Sequence, residues 1–134
     1  MTDEKKFEVH AEITARLTQQ DVDDIMVSAL EGGICYWCDR VTVEGQYLGK
    51  YASEQISRGG TLKVHVTEPF DEQDTEWYEL DIEKFIQGFR LWLENGGDCY
   101  GAVSGDGKVD CGEIDAGCAD AIIQYALFGE VVYG

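Results

Sequence analysis

Three glycine pairs, Gly32-Gly33, Gly59-Gly60 and Gly96-Gly97, cut this chain into segments and limit how far any one element can run. A single glycine is enough to end a helix, because it takes the left-handed conformation of a C-cap at no steric cost. A second suggests backbone that approaches something closely. Arg58 stands directly before the middle pair. It is one of only four arginines in a chain with 27 acids and 10 bases. An anionic ligand of such a chain must find one of the few cations or a run of free N–H groups, and the corner at 58–60 could offer both.

Periodicity fills in the segments between the glycines. Residues 7–17 alternate, with Phe7, Val9, Ala11, Ile13, Ala15 and Leu17 on one face, as a strand does. Thr18, with Asp21 three residues on, reads as a helix N-cap, and the helix should stop at Gly32-Gly33. A strand is expected over 34–44, a short helix over 52–58 capped by Ser53, and strands over 61–67 and 77–80. The acidic stretch 68–75, which holds Pro69, the only proline, reads as an exposed loop. Asp81 opens the clearest helix, whose stripe is Ile82, Phe85, Ile86, Phe89 and Leu93, ending at Asn95-Gly96-Gly97. Residues 98–103 suggest a strand and 104–107 a turn. Asp115 opens a last helix ended by Gly129, and 131–133 suggest an edge strand. The expectation is a small single domain over 1–134 of the α+β class, an antiparallel sheet packed with two main helices and one short helix. Residues 1–6 read as a disordered tail.

The net charge of −17 argues against binding DNA or RNA through phosphate contacts, and against an anionic membrane surface. No run approaches the roughly 18 apolar residues of a membrane span. The start carries no apolar signal segment, so a cytosolic setting with reduced thiols is expected. The charge permits a basic protein partner, although plain solubility explains it as well.

The chemistry-bearing residues are few. Cys35 and Cys38 form a Cys-x-x-Cys, but no second pair or histidine set completes a zinc site. A redox pair would be expected to open a helix, whereas this one falls where a strand should begin. Two small apolar side chains near a core are the simpler reading. The stretch 102–113 places Ser104, Asp106, Gly107, Val109, Asp110 and Glu113 in register with a calcium loop, but Ala102 stands where a leading carboxylate belongs. A tight acidic turn accounts for the same residues. With two histidines in strand-like settings, no nucleophile–base arrangement can be argued. No catalytic residue, metal or cofactor is therefore assigned.

A binding corner remains. A guanidinium suits phosphate oxygens, glycine backbone can form an anion nest, and an aromatic can stack on a base. The candidate ligand-binding residues are Arg58, Gly59, Gly60, Phe85, Phe89, Asn95 and Gly96. Each has a plainer reading: Arg58 as the counter-charge of a helix end, Phe85 and Phe89 as core, Asn95 as a C-cap.

Several segments together resemble a family of small phage and prophage proteins: DDIMVSALEGG at 23–33, YWC at 36–38, YLG at 47–49, YASEQISRGG at 51–60, LENGG at 93–97 and IIQYALFG at 122–129. The likeness runs from about Leu17 to the C-terminus. It is to the first-described type of Thoeris anti-defence protein, a nucleotide sponge. The resemblance implies a non-enzymatic protein of the infected host's cytoplasm. It would bind a cyclic ADP-ribose type signal made by a host TIR enzyme, and in some members other cyclic nucleotides. It implies an α+β homodimer, with some members forming hexamers. It also implies an aromatic and an asparagine in the pocket, which by position are Phe85 and Asn95, with Arg58 as the phosphate partner. The alternatives are an acidic interaction protein that inhibits a host nuclease, as an anti-CRISPR or DNA mimic would, or a small hydrolase of the same nucleotides.

Overall fold

Thr18 starts the first helix as its sequence predicts. Its Oγ1 accepts from the Asp21 N–H at 3.0 Å while Asp21 Oδ2 accepts from the Thr18 N–H at 2.9 Å, so two orphan donors are satisfied reciprocally. The computed structural model describes residues 7, 9, 14–69, 76–97, 103, 104 and 106–134. Helix α1 covers Gln19–Ser28 and buries Val22, Ile25 and Met26. The helical run ends at the glycine pair, as expected, but its last turn is not α. It widens into a π turn, Ala29–Gly33, closed by the Ile34 N–H on Ala29 O at 3.1 Å. Gly33 is required there by packing, because a Cβ would lie 2.5 Å from Ala116 O.

The strand expected over 34–44 is shorter. Residues 34–37 form a turn, and β1 covers Cys38–Val43. β2 covers Leu62–Val66 and β3 covers Trp77–Leu80. The sheet is antiparallel in the order β1-β2-β3. Leu62, Val64 and Val66 point into the core in strict alternation. A register shift between Cys38 and Arg40 bulges β1 at Asp39.

Asp81 caps α2, Ile82–Glu94, by accepting from the Lys84 N–H, and Asp115 caps α3, Ala116–Phe128, by accepting from the Cys118 N–H. The two helices pack closely, and a Cβ on Gly88 would lie 2.5 Å from Ile122 O. Trp37, Ile56, Leu80, Phe85, Ile122 and Ile123 meet in one core. The α+β class is as expected. Among the described residues there are three α-helices, where two main helices and one short helix were anticipated. The segment 52–58 forms only a 3₁₀ turn, Ala52–Glu54. Glu54 Oε1 accepts the Lys50 and Tyr51 N–H groups at 2.7 and 3.0 Å, so Ser53 lies inside the turn rather than capping it.

The edge strand expected at 131–133 does not form. Buried Gln124 takes the Val132 and Tyr133 N–H groups on its Oε1, both at 2.8 Å, and holds the segment as coil. Of the expected first strand, Arg16 makes a single parallel bridge to Lys108, and residues 8 and 10–13 lie outside the described residues. So do residues 1–6, 70–75 and 98–102, which hold the expected tail, most of the acidic loop and most of the strand expected at 98–103. Val103 makes one antiparallel bridge to Val109. No helix among the described residues is long and apolar enough to cross a membrane.

Candidate functional site

Arg58 is held from two sides. Its Nη1 lies 3.4 Å from Asp23 Oδ2, 3.1 Å from Glu54 O and 3.3 Å from Ser57 Oγ, and its Nη2 lies 3.5 Å from Glu54 Oε2. Asp23 is buried in α1 and also accepts from the Ser57 hydroxyl at 2.6 Å. The guanidinium therefore ties the turn 52–58 onto α1 and offsets a buried carboxylate. The Glu54 pKa is lowered, chiefly because the Tyr51 and Lys50 N–H groups bond its charged form.

The glycine donors beside Arg58 are spent as well. The Gly59 N–H donates to Ile56 O at 3.0 Å and the Gly60 N–H to Gln55 O at 2.9 Å. The anion nest expected there is not available. The three pairs share a division of labour. A Cβ on the second member would strike Ala116 O at 2.5 Å for Gly33, the Gln55 amide at 2.4 Å for Gly60 and the Trp92 ring at 2.1 Å for Gly97. The first members have open space, and Gly59 and Gly96 take positive φ. The close approach signalled by each second glycine is real, but it is to the chain's own atoms.

On α2 the predicted residues part company. Phe85 is fully buried in the core, so neither ring face is open to a ligand. Phe89 is 3% exposed and reaches the floor of a surface groove of about 300 Å³, together with Leu17, Ile86 and Leu93. Arg90 lines the same groove, with its Nε 3.1 Å from Glu94 Oε1 and most of its side chain in solvent. Asn95 caps the helix: its Nδ2 donates to Leu91 O at 2.7 Å, and the Gly96 N–H donates to Leu93 O at 3.1 Å. Phe89, Arg90, Leu93, Asn95 and Gly96 thus share the C-terminal half of one helix.

Arg58 is not among the residues that line this groove, and it sits nearer the start of α2 than its end. Gly60 lies two residues before Leu62, which pairs with Leu80, two residues before α2 begins. Ser57 accordingly shares a groove with Ile82 and Ile86 in the first turns of α2. Asn95 is thirteen residues from Ile82, about 20 Å along the axis at 1.5 Å per residue. The arginine beside the aromatic groove is Arg90, which sequence reasoning passed over. Its signal was position: it follows Phe89 on the most amphipathic of the described helices.

The outer face of the sheet holds a second polar cluster. His65 Nδ1 lies 2.5 Å from Asp39 Oδ1, on the bulge, and Nε2 lies 3.1 Å from Glu76 Oε2. A neutral imidazole carries one N–H, so two carboxylate partners favour the doubly protonated ring. The Asp39 bond accordingly raises the His65 pKa, and the His65 bond lowers that of Asp39. On the far side, Asp120 accepts from Tyr36 Oη at 2.5 Å, Trp37 Nε1 at 2.7 Å and Gln124 Nε2 at 2.9 Å. Burial, helped by Asp120, pushes the Tyr36 pKa up to about 12. This network ties the residues after α3 to the turn 34–37.

In the stretch resembling a calcium loop, Asp106 Oδ1 takes the Ser104 hydroxyl and the Lys108 N–H, and Asp110 Oδ1 takes the Gly112 N–H at 3.0 Å. These carboxylates serve the turn that was expected. No protein-family model, curated protein or solved structure matches this chain.

Proposed function

We propose that this chain is a nucleotide sponge. It binds a cyclic ADP-ribose type signal, or a related cyclic nucleotide, in the infected host's cytoplasm and holds it without cleaving it, which blocks TIR-based immunity. The observation that carries this reading is the groove on α2. There an aromatic, apolar walls and a solvent-facing arginine come together, beside the asparagine at the end of the same helix. This is the segment in which the resemblance implies an aromatic and an asparagine. The aromatic that lines the groove is Phe89 rather than Phe85, and the nearby cation is Arg90 rather than Arg58.

The chemistry required is affinity alone. A base sits against Ile86 and Leu93, with the buried Phe89 ring behind them, and a phosphate oxygen takes Arg90 away from Glu94, since an exposed ion pair is worth little. A groove of about 300 Å³ lies at the small end of ligand sites, which run from roughly 300 to 1,000 Å³ and bury most of the ligand. In the homodimer that the resemblance implies, a second copy would supply the opposite wall.

Native mass spectrometry with a panel of cyclic nucleotides tests this reading, since it gives ligand mass and subunit count together. The expected result is a bound nucleotide that is recovered chemically intact after heat denaturation. Arg90→Ala should weaken capture about tenfold or more, the worth of one charge-assisted hydrogen bond. Recovery of a degraded product would make the protein an enzyme. Unchanged capture by Arg90→Ala would move the site elsewhere.

A second reading, an acidic protein that inhibits a nuclease, is favoured by one observation. Tyr47, Leu48 and Tyr51 are about half exposed on a loop whose backbone is pinned from inside by Gln55 and Glu54. Rigid exposed aromatics suit a protein partner. That reading expects tight, salt-sensitive binding to a basic nuclease, lost on Tyr47→Ala and Tyr51→Ala.

A further inference from the structure

The Cys-x-x-Cys motif lies on a single turn of chain between the π turn and β1. The Trp37 and Cys38 N–H groups both donate to Ile34 O, at 3.1 and 3.0 Å, and the Cys35 N–H donates to Gly32 O at 3.3 Å. The pair therefore closes a helical segment, where the sequence pattern suggested the opening of a strand. Residues three apart on such a turn have Cα atoms within roughly 7 Å, and a disulfide spans about 4.4–6.8 Å. Both cysteines line one groove of about 290 Å³, between Leu30, Ile34 and Ala52, and both are free thiols.

Their environments differ in a way that assigns roles. Cys35 is exposed, with its Sγ 3.5 Å from Leu30 O. Cys38 is 6% exposed, with its Sγ 3.4 Å from Arg40 O, and burial pushes its thiol pKa up. An oxidant arriving from solvent meets Cys35 first, and the protected thiol lies one turn away to capture the product. Redox-sensing pairs use this arrangement of an accessible and a resolving cysteine.

We propose that Cys35 and Cys38 form a reversible intramolecular disulfide, with Cys35 as the attacking thiol, Cys38 as the resolving thiol and a hydroperoxide as the oxidant. The Cys35 thiolate attacks one peroxide oxygen. The S–O bond forms as O–O breaks, and the departing oxygen leaves as water or an alcohol after taking a proton. Cys38 then gives up its proton and attacks Cys35 Sγ. The S–S bond forms as S–O breaks, and the hydroxide leaves with that proton as water. Two thiols lose two electrons in all, and the peroxide gains them. Tyr36 and Trp37, between the cysteines, hold Asp120, so the bridge closes a turn whose middle is already fixed. This proposal stands independently of the nucleotide reading.

The test treats the full chain with limiting hydrogen peroxide, followed by alkylation and peptide mapping without reductant. A Cys35–Cys38 peptide lighter by two hydrogens and restored by dithiothreitol is expected. In Cys38→Ser, Cys35 should stop at the sulfenic acid and be trapped by dimedone. The proposal is overturned if Cys118 oxidises while Cys35 and Cys38 remain alkylatable. It is equally overturned if Cys35 pairs with a cysteine other than Cys38, or if Cys38→Ser yields no dimedone adduct.

Discussion

Two carboxylates decide what Arg58 can do. Its guanidinium neutralises Asp23, which is buried in α1, so its removal would leave that carboxylate with the Ser57 hydroxyl alone. Arg58→Ala should therefore lower stability by about 1–3 kcal/mol, the cost of an under-satisfied buried polar group. Chemical denaturation measures this, and an unchanged midpoint would show the pair to be energetically idle. From sequence, a lone arginine beside two glycines looks the same whether its partner is a phosphate or an aspartate 35 residues away. His65 carries the opposite lesson, since nothing in an alternating strand announces a carboxylate on each side of the ring. Asp39 approaches from the β1 bulge, Glu76 from the residue just before β3, and Arg40 and Trp77 stand beside them. The folded His65 pKa lies above its ordinary 6.5. Its contribution to stability is full below 6.5 and is lost as pH rises through the folded value. Asp39 lies below its ordinary 3.8, so its share is present above 3.8 and is lost as pH falls through its own folded value. The pair is fully effective between those limits. An NMR titration of the His65 ring should give a midpoint above 6.5 that drops in Asp39→Asn. A midpoint at or below 6.5 in the native protein would contradict this.

Elements were most legible where a local interaction defines them. Thr18, Asp81 and Asp115 each bond the N–H three residues on, and each was readable because the cap and its helix are neighbours in sequence. Strand β2 was readable from alternation. The misreadings occurred where distant groups intervene. Gln124 holds the segment 131–133 as coil, where an edge strand was expected. Gly88 shows the same dependence on tertiary structure. Nothing inside the α2 pattern asks for a glycine, yet a Cβ there would meet Ile122 O at 2.5 Å and the Ala126 Cβ at 2.7 Å. Those are backbone atoms and a methyl group, which no rotamer change relieves. Gly88→Ala should force α2 away from α3 and cost about 1–3 kcal/mol by overpacking, even though alanine is the better helix former. A rise in melting temperature instead would mean that helix propensity outweighs the crossing. The candidate site was legible to the same degree. Its helix, its Phe89 and Asn95 and the plainer reading of Phe85 as core came from pattern, whereas the position of Arg90 on the groove depends on how α2 sits against α3 and the sheet.

At the scale of the whole molecule, charge opposes the function proposed for the groove. The formal net charge is −17, and a pyrophosphate ligand is also negative. Beyond the first contact shell, the ligand meets a repulsive field that falls off over a Debye length of about 10 Å at 0.1 M salt and about 30 Å at 0.01 M. Close in, it meets Arg90, whose attraction acts over a few ångströms and is screened less. The two effects separate in the kinetics. Long-range repulsion slows encounter, while local contacts set the lifetime of the complex. The association rate for a cyclic ADP-ribose type nucleotide should therefore rise several-fold between about 10 and 150 mM salt, with the dissociation rate changing less. A nucleic-acid-binding protein does the reverse, because salt weakens its attraction to phosphate. Stopped-flow measurement across that salt range decides the matter. A rate that falls with salt would mean that the ligand approaches through a locally positive field. The groove with its single arginine would then be the wrong entrance, and a surface assembled from two chains would have to supply the missing cations.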